Sequence, residues 1–134
     1  MVDILRLPEA VDREFLYQML LARESLGSTA VGEGIAIPHV RNPVVLYIGQ
    51  PTATLCFLER PIPFGALDDH PVHTLFTLIS PTVRAHLQMI SRLAFFLRRP
   101  ELHAVLKRQG SRDEILAVVR QLESVLPGGE VRSP

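Results

Sequence analysis

Hydrophobic positions along the chain fall into two periods, and the switches between them mark the elements. "VDREFLYQMLLARESLG" carries Phe15, Met19 and Leu20 at helical spacing, with Asp12 placed to cap its start and Gly27 to supply a left-handed stop. "STAVGEGIAIPHVRNPVV" is dense in Gly, Pro and small hydroxyl residues and reads as a loop, a short strand and a second loop. The short strand is Gly34 to Ile37, stopped by Pro38, which has no amide to donate, so that His39 stands at a strand end. "TATLCFLE" is a strand of β-branched and apolar residues, and "RPIPFGALDDHP" is a turn-rich connection. "VHTLFTLIS" is nearly continuous in apolar residues, which predicts a central strand buried on both faces.

The second half is helical. "PTVRAHLQMISRLAFFLRRP" opens on Pro and Thr and repeats apolar residues at 3.6 spacing through Leu87, Ile90, Leu93, Ala94 and Leu97, up to the break at Pro100. "PELHAVLKRQG" is a shorter helix ending at Gly110, and "SRDEILAVVRQLESVL" opens with a capping box, Ser111 with Glu114. The order helix, three strands, three helices predicts an α/β fold: a small mixed sheet with helices packed against it. A single domain over residues 1–126 is expected, followed by a disordered tail, 127–134.

Composition narrows the class. The 134 residues are 47% hydrophobic, enough for one buried core. Lys plus Arg and Asp plus Glu are 14 each, and this zero balance argues against nucleic-acid binding. Apolar runs reach about eight residues, short of the ~20 that span a bilayer, and no leader peptide is evident, so a cytoplasmic domain is expected. The one cysteine, Cys56, has no disulfide partner and reads as a small core residue.

Five histidines carry the candidate chemistry. His103, in "ELHAVL", and His70, in the turn "DDHP", read as structural or surface residues. His73 begins the buried strand, where it either caps that strand or lines a site. His86 lies in the first turns of the helix that follows the strand's carboxyl end, where ligands gather in open α/β sheets and where helix amides favour anions. His39 also follows a strand end, so the two imidazoles are either a pair with a purpose or two structural residues. Upstream of His39, Arg23 offers a cation, Ser28 and Thr29 offer hydroxyls, and glycines let backbone amides approach a ligand. Together these describe an oxyanion or phosphate site; the alternative is an ordinary Gly-rich turn. Asp68 and Asp69 are adjacent and read as turn formers rather than metal ligands.

The stretch "LLARESLGSTAVGEGIAIPH" resembles the signature of the mannitol/fructose-type enzyme IIA domains of the bacterial phosphotransferase system, including their nitrogen-regulatory branch. That signature has the form R-E-x-x-G-S-T-x-x-G-x-G-I-A-I-P-H. The resemblance continues through "PIPFGALDDHPVHTLFTLISP" and "HLQMISRLAFFLRRPELHAVL", and covers roughly residues 12–122. It implies that His39 is a phosphoryl acceptor, that His86 is the second active-site histidine, and that Arg23, Ser28 and Thr29 surround the phosphoryl group. It implies a phosphohistidine carrier (HPr or its nitrogen-branch relative) as donor, a IIB component or a regulated protein as recipient, and no cofactor, metal, nucleic acid or membrane. Two departures stand out. Val40 and Arg41 follow His39 where the family usually has a small residue, which is expected to alter docking; and the family's upstream strand and helix are not represented, as in an excised domain or a module from a larger regulatory chain. An exposed apolar rim, supplied in part by "VRNPVV", is expected around the site. Two other readings stand beside the phosphocarrier: an unphosphorylated regulatory or interaction module of the same fold that binds a protein or anion, and, more weakly, a metal hydrolase on His39, His73 and His86.

Overall fold

A computed structural model describes residues 11–41 and 49–124; the opening decapeptide, most of "VRNPVV" and the expected tail 127–134 lie outside the described residues. The chain forms two compact units, Met1–Met89 and Ile90–Pro134.

The first unit begins with α1 (Arg13–Leu26), whose N-cap Asp12 accepts Oδ1 hydrogen bonds from the amides of Glu14 and Phe15 at 3.0 and 3.1 Å. Its buried stripe is Leu16 and Leu20 with Met19 packed beside them; Phe15, expected inside, is exposed. Gly27 ends the helix at φ 155°, ψ 149°, an extended positive-φ conformation rather than the left-handed helical one the sequence suggests. Four strands follow: β1 (Ala30–Gly32), β2 (Ile35–Ala36), β3 (Thr52–Ile62) and β4 (Val72–Ile79), in the sheet order β1-β2-β4-β3.

β4 is central, as its apolar run predicts. It pairs antiparallel with β3 and parallel with β2, which makes the sheet mixed. β1 belongs to a stretch that reads as loop. It is three residues long and is held by an antiparallel pairing with β2 around a turn in which Gly32, Glu33 and Gly34 all have positive φ. Asp68 reaches across from the β3–β4 connection and accepts the Glu33 amide on Oδ2 at 2.7 Å, anchoring that turn. One core cluster joins α1 to the sheet through Val11, Leu16, Leu20, Val40 and Ile79; a second gathers Ala36, Val72 and Leu75, with Cys56, Leu58 and Phe64 against it.

After β4, Thr82 starts α2 (Val83–Phe96) by accepting the Ala85 amide on Oγ1 at 3.1 Å. Leu87, placed on the inner stripe by its spacing, is 60% exposed, and Val83 one turn earlier is 51% exposed. The 3.6 period identifies a common face, but at a helix's first turns the neighbouring elements decide whether that face is covered.

In the second unit α3 (Pro100–Lys107) packs on α4 (Arg112–Glu123), burying Leu102, Val105, Leu106, Ile115 and Leu122. The expected capping box is present. Glu114 also meets Arg108 at 2.6 Å, and that guanidinium, helped by the Ser111 amide, pushes its carboxyl down to about 2.

Candidate functional site

Parallel strands end on the same edge of a sheet, and this brings the two histidines together. Ile35 lies opposite Thr74 and Ala36 opposite Leu75, and the same register extends past the regular strand to pair His39 with Leu78. Within that extension the Leu78 amide donates to the Pro38 carbonyl at 2.9 Å. β4 then runs out at Ile79, and Ser80, Pro81 and Thr82 turn the chain into α2, with His86 in the first turn. The imidazoles of His39 and His86 stand 5.0 Å apart between ring centroids, tilted by 53°.

The ring of His39 has a defined tautomer. Its Nδ1 lies 2.7 Å from the Ile37 carbonyl oxygen. A carbonyl can only accept, so Nδ1 carries the proton and donates it, and the lone pair of the neutral ring is on Nε2. Half-burial is the main cause holding the His39 pKa below 6.5; the Ile37 carbonyl opposes it, the Arg23 charge adds to it, and Glu24 acts weakly the other way. His86, 6% exposed, is lowered by burial first and by His39 second. Both rings are therefore neutral near pH 7. The Nδ1 of His86 is buried with no hydrogen-bond partner. Such an atom destabilises a fold by about 1–3 kcal/mol unless something supplies a partner.

The other residues singled out from the sequence are placed as follows. Arg23 is near enough to act electrostatically on His39, and its Nη1 donates to the Gly27 carbonyl at 2.7 Å. Ser28 donates to the Phe64 carbonyl at 2.5 Å and accepts the Ala30 amide at 3.0 Å. Thr29 donates from Oγ1 to Glu24 at 2.5 Å. These two hydroxyls brace the loop that leads to His39. The first-turn amides of Ala85 and His86 are likewise taken by Thr82. Val40, rather than altering a docking surface, is 1% exposed in the core with Leu16 and Ile79, while Arg41 is exposed. Apolar surface beside His86 comes from Val83 and Leu87.

His73 stands apart from the pair. Its Nδ1 is 2.6 Å from the Thr74 hydroxyl, and its ring lies over Gly34, so close that a Cβ on that glycine would be 2.3 Å from Cδ2 and Nε2. Among the described residues no three His, Cys, Asp or Glu side chains are grouped to hold a metal ion, so His39, His73 and His86 do not form the centre a metal hydrolase would need. His70 pairs with Asp68 at 3.4 Å, and His103 hydrogen-bonds the Leu97 carbonyl. Glu24, which clasps the loop before His39 through Thr29, had no role assigned from sequence, and Asp68, read as a turn former, also holds that loop by the Glu33 amide. The only signal for Glu24 was its place in "RESLGST", beside the arginine.

The family model described as "Phosphoenolpyruvate-dependent sugar phosphotransferase system, EIIA 2" matches residues 1–122. A nitrogen regulatory protein of Pseudomonas aeruginosa is 33% identical over 120 residues, which are 88% of this chain and 75% of that protein. The fructose-specific EIIABC component of Bacillus subtilis is 34% identical over 113 residues, 82% of this chain but only 17% of that protein. The crystal structure of the nitrogen regulatory protein IIA-Ntr from Neisseria meningitidis superposes with a TM-score of 0.70 at 32% identity, covering 81% of this chain and 73% of that one. Among the described residues no helix is long and apolar enough to cross a membrane.

Proposed function

The chain belongs to the EIIA type 2 family of the phosphoenolpyruvate-dependent sugar phosphotransferase system, and from that premise we propose that it is a phosphocarrier whose acceptor atom is Nε2 of His39. The Nδ1–H bond to Ile37, which leaves the lone pair on Nε2, carries the reading. The Nε2 lone pair forms a bond to phosphorus as the donor's P–N bond breaks, and that electron pair returns to the donor imidazole. Positive charge develops on the His39 ring during attack. The Nδ1 proton stays in place, and its hydrogen bond to the Ile37 carbonyl strengthens as the ring becomes cationic.

The transferring phosphoryl group is loose and spreads negative charge over its equatorial oxygens, so the protein's part is positioning and electrostatics. His86, whose ring stands 5.0 Å from that of His39, is suited to donate to one of those oxygens. Arg23 offsets charge from the rim. Ser28 and Thr29 act behind the site, holding the backbone that presents His39. The donor is a phosphohistidine carrier, HPr or its nitrogen-branch relative, and the recipient is a IIB component or a regulated protein in the cytoplasm. Similarity to the nitrogen regulatory proteins favours a regulatory output.

The test is incubation with a phosphorylated carrier. Acid-labile, base-stable label on the wild type that is lost in His39→Ala supports the phosphocarrier. No label on the folded wild type from any such carrier would favour an unphosphorylated interaction module.

A further inference from the structure

Both carboxylate oxygens of Glu24 end on a single residue. Oε2 accepts the Thr29 amide at 2.9 Å and Oε1 accepts the Thr29 hydroxyl at 2.5 Å. Thr29 is buried, and its own carbonyl accepts the Ile37 amide at 3.0 Å. Ile37 in turn offers its carbonyl to Nδ1 of His39 at 2.7 Å. Four residues thus form one continuous chain of hydrogen bonds, running from the last turns of α1 to the imidazole. The first two links end on an ionised group and are the strong ones. Pro38, with its fixed φ, leaves little slack between the last acceptor and the ring it holds.

We infer that Glu24 is a positioning residue for His39: by clamping Thr29 it fixes the Ile37 carbonyl against Nδ1 and so keeps Nε2 as the free nitrogen. Without the clamp, the β1–β2 hairpin and the Ile37 carbonyl gain freedom. The neutral ring can then put its proton on either nitrogen, and the fraction with a bare, correctly aimed Nε2 falls. This rests on the reading of His39 as the phosphoryl acceptor, and it extends the site to a side chain that touches neither ring.

Ring nitrogen-15 NMR of the unphosphorylated protein, held well above the ~6.5 at which unperturbed histidine is half protonated, reads the tautomer directly. The wild type is expected to show His39 protonated on Nδ1. Glu24→Ala should show a mixture with the Nε2–H form, and Glu24→Gln, which keeps one acceptor oxygen but no charge, an intermediate mixture. His103, whose Nε2 hydrogen-bonds the Leu97 carbonyl in the second unit, should not change and serves as the internal reference. Phosphoryl uptake should fall in the same order, by up to ~100-fold for the alanine variant, as expected for a misplaced nucleophile. A purely structural role would lower stability and leave the His39 signals alone. Unshifted His39 nitrogens in the folded Glu24→Gln and Glu24→Ala proteins would overturn the inference. If Glu24→Ala does not fold, an unshifted Glu24→Gln spectrum overturns it alone. Failure of the phosphocarrier reading is told apart because the tautomer is measured without phosphate. A wild type that never accepts label, yet changes tautomer in the Glu24 variants, refutes the acceptor role and upholds the clamp.

Discussion

Replacing Gly34 with alanine would place a methyl group 2.3 Å from both Cδ2 and Nε2 of His73. Ordinary carbon contacts begin near ~3.5 Å, so ring and methyl must separate by about 1 Å or more. Neither side yields easily. The Gly34 carbonyl accepts the amides of His73 and Thr74 at 2.8 and 3.1 Å, and the His73 ring is tied to the Thr74 hydroxyl at 2.6 Å. Gly34 also sits at φ 84°, where a Cβ adds a cost of about 1–2 kcal/mol by itself. Overpacking of a fixed neighbour adds about 1–3 kcal/mol. Gly34→Ala is therefore expected to destabilise the fold by about 2–5 kcal/mol, a large share of the ~5–15 kcal/mol typical of a domain. Urea denaturation followed by circular dichroism measures this. His73→Ala in the same background should recover the overpacking part and leave the backbone part. The double variant should then be more stable than the two single losses added together, by about 1–3 kcal/mol. Additivity within about 0.5 kcal/mol would refute the packing of ring on glycine. So would a Gly34→Ala loss below ~1 kcal/mol, since the φ cost alone reaches that.

Removing the second imidazole, His86→Ala, should leave the fold intact and slow phosphoryl transfer by about 10- to 1000-fold, as for loss of one preorganised donor; equal single-turnover rates for variant and wild type would contradict its role. Stability should also depend on pH through the site. Because the folded chain holds His39 and His86 below 6.5, the unfolded chain binds more protons in the window beneath that value. Their contribution is present above pH 6.5 and is lost as pH falls through the lowered folded values. A His39→Asn/His86→Asn double variant should flatten the decline of the urea midpoint between about pH 6.5 and 5, relative to the wild type. Parallel profiles would contradict the lowered values.

Local signals were read correctly where one residue's chemistry decides the outcome. Asp12 and Ser111 cap the helices they precede, and the apolar run of β4 is the central strand. What escaped depends on partners distant in sequence. β1 is three residues that become a strand only because β2 lies beside them and Asp68, 35 residues on, holds the Glu33 amide. Leu87 and Phe15 share a period with buried neighbours, but period alone does not say where cover ends. Val40 looks like a surface substitution beside His39, and only the packing against Leu16 and Ile79 shows it is core. At the site, the pairing of His39 with His86 was legible because both follow strands. The inward-turned hydroxyls of Ser28 and Thr29 were not, because residue type does not give direction.

The most direct measurement is the isomer of phosphohistidine formed on this chain. After transfer from a phosphorylated carrier and complete hydrolysis in alkali, the account predicts Nε2-phosphohistidine as the one phosphohistidine formed, and none from the His39→Ala protein. Nδ1-phosphohistidine, or label retained in His39→Ala, would contradict it.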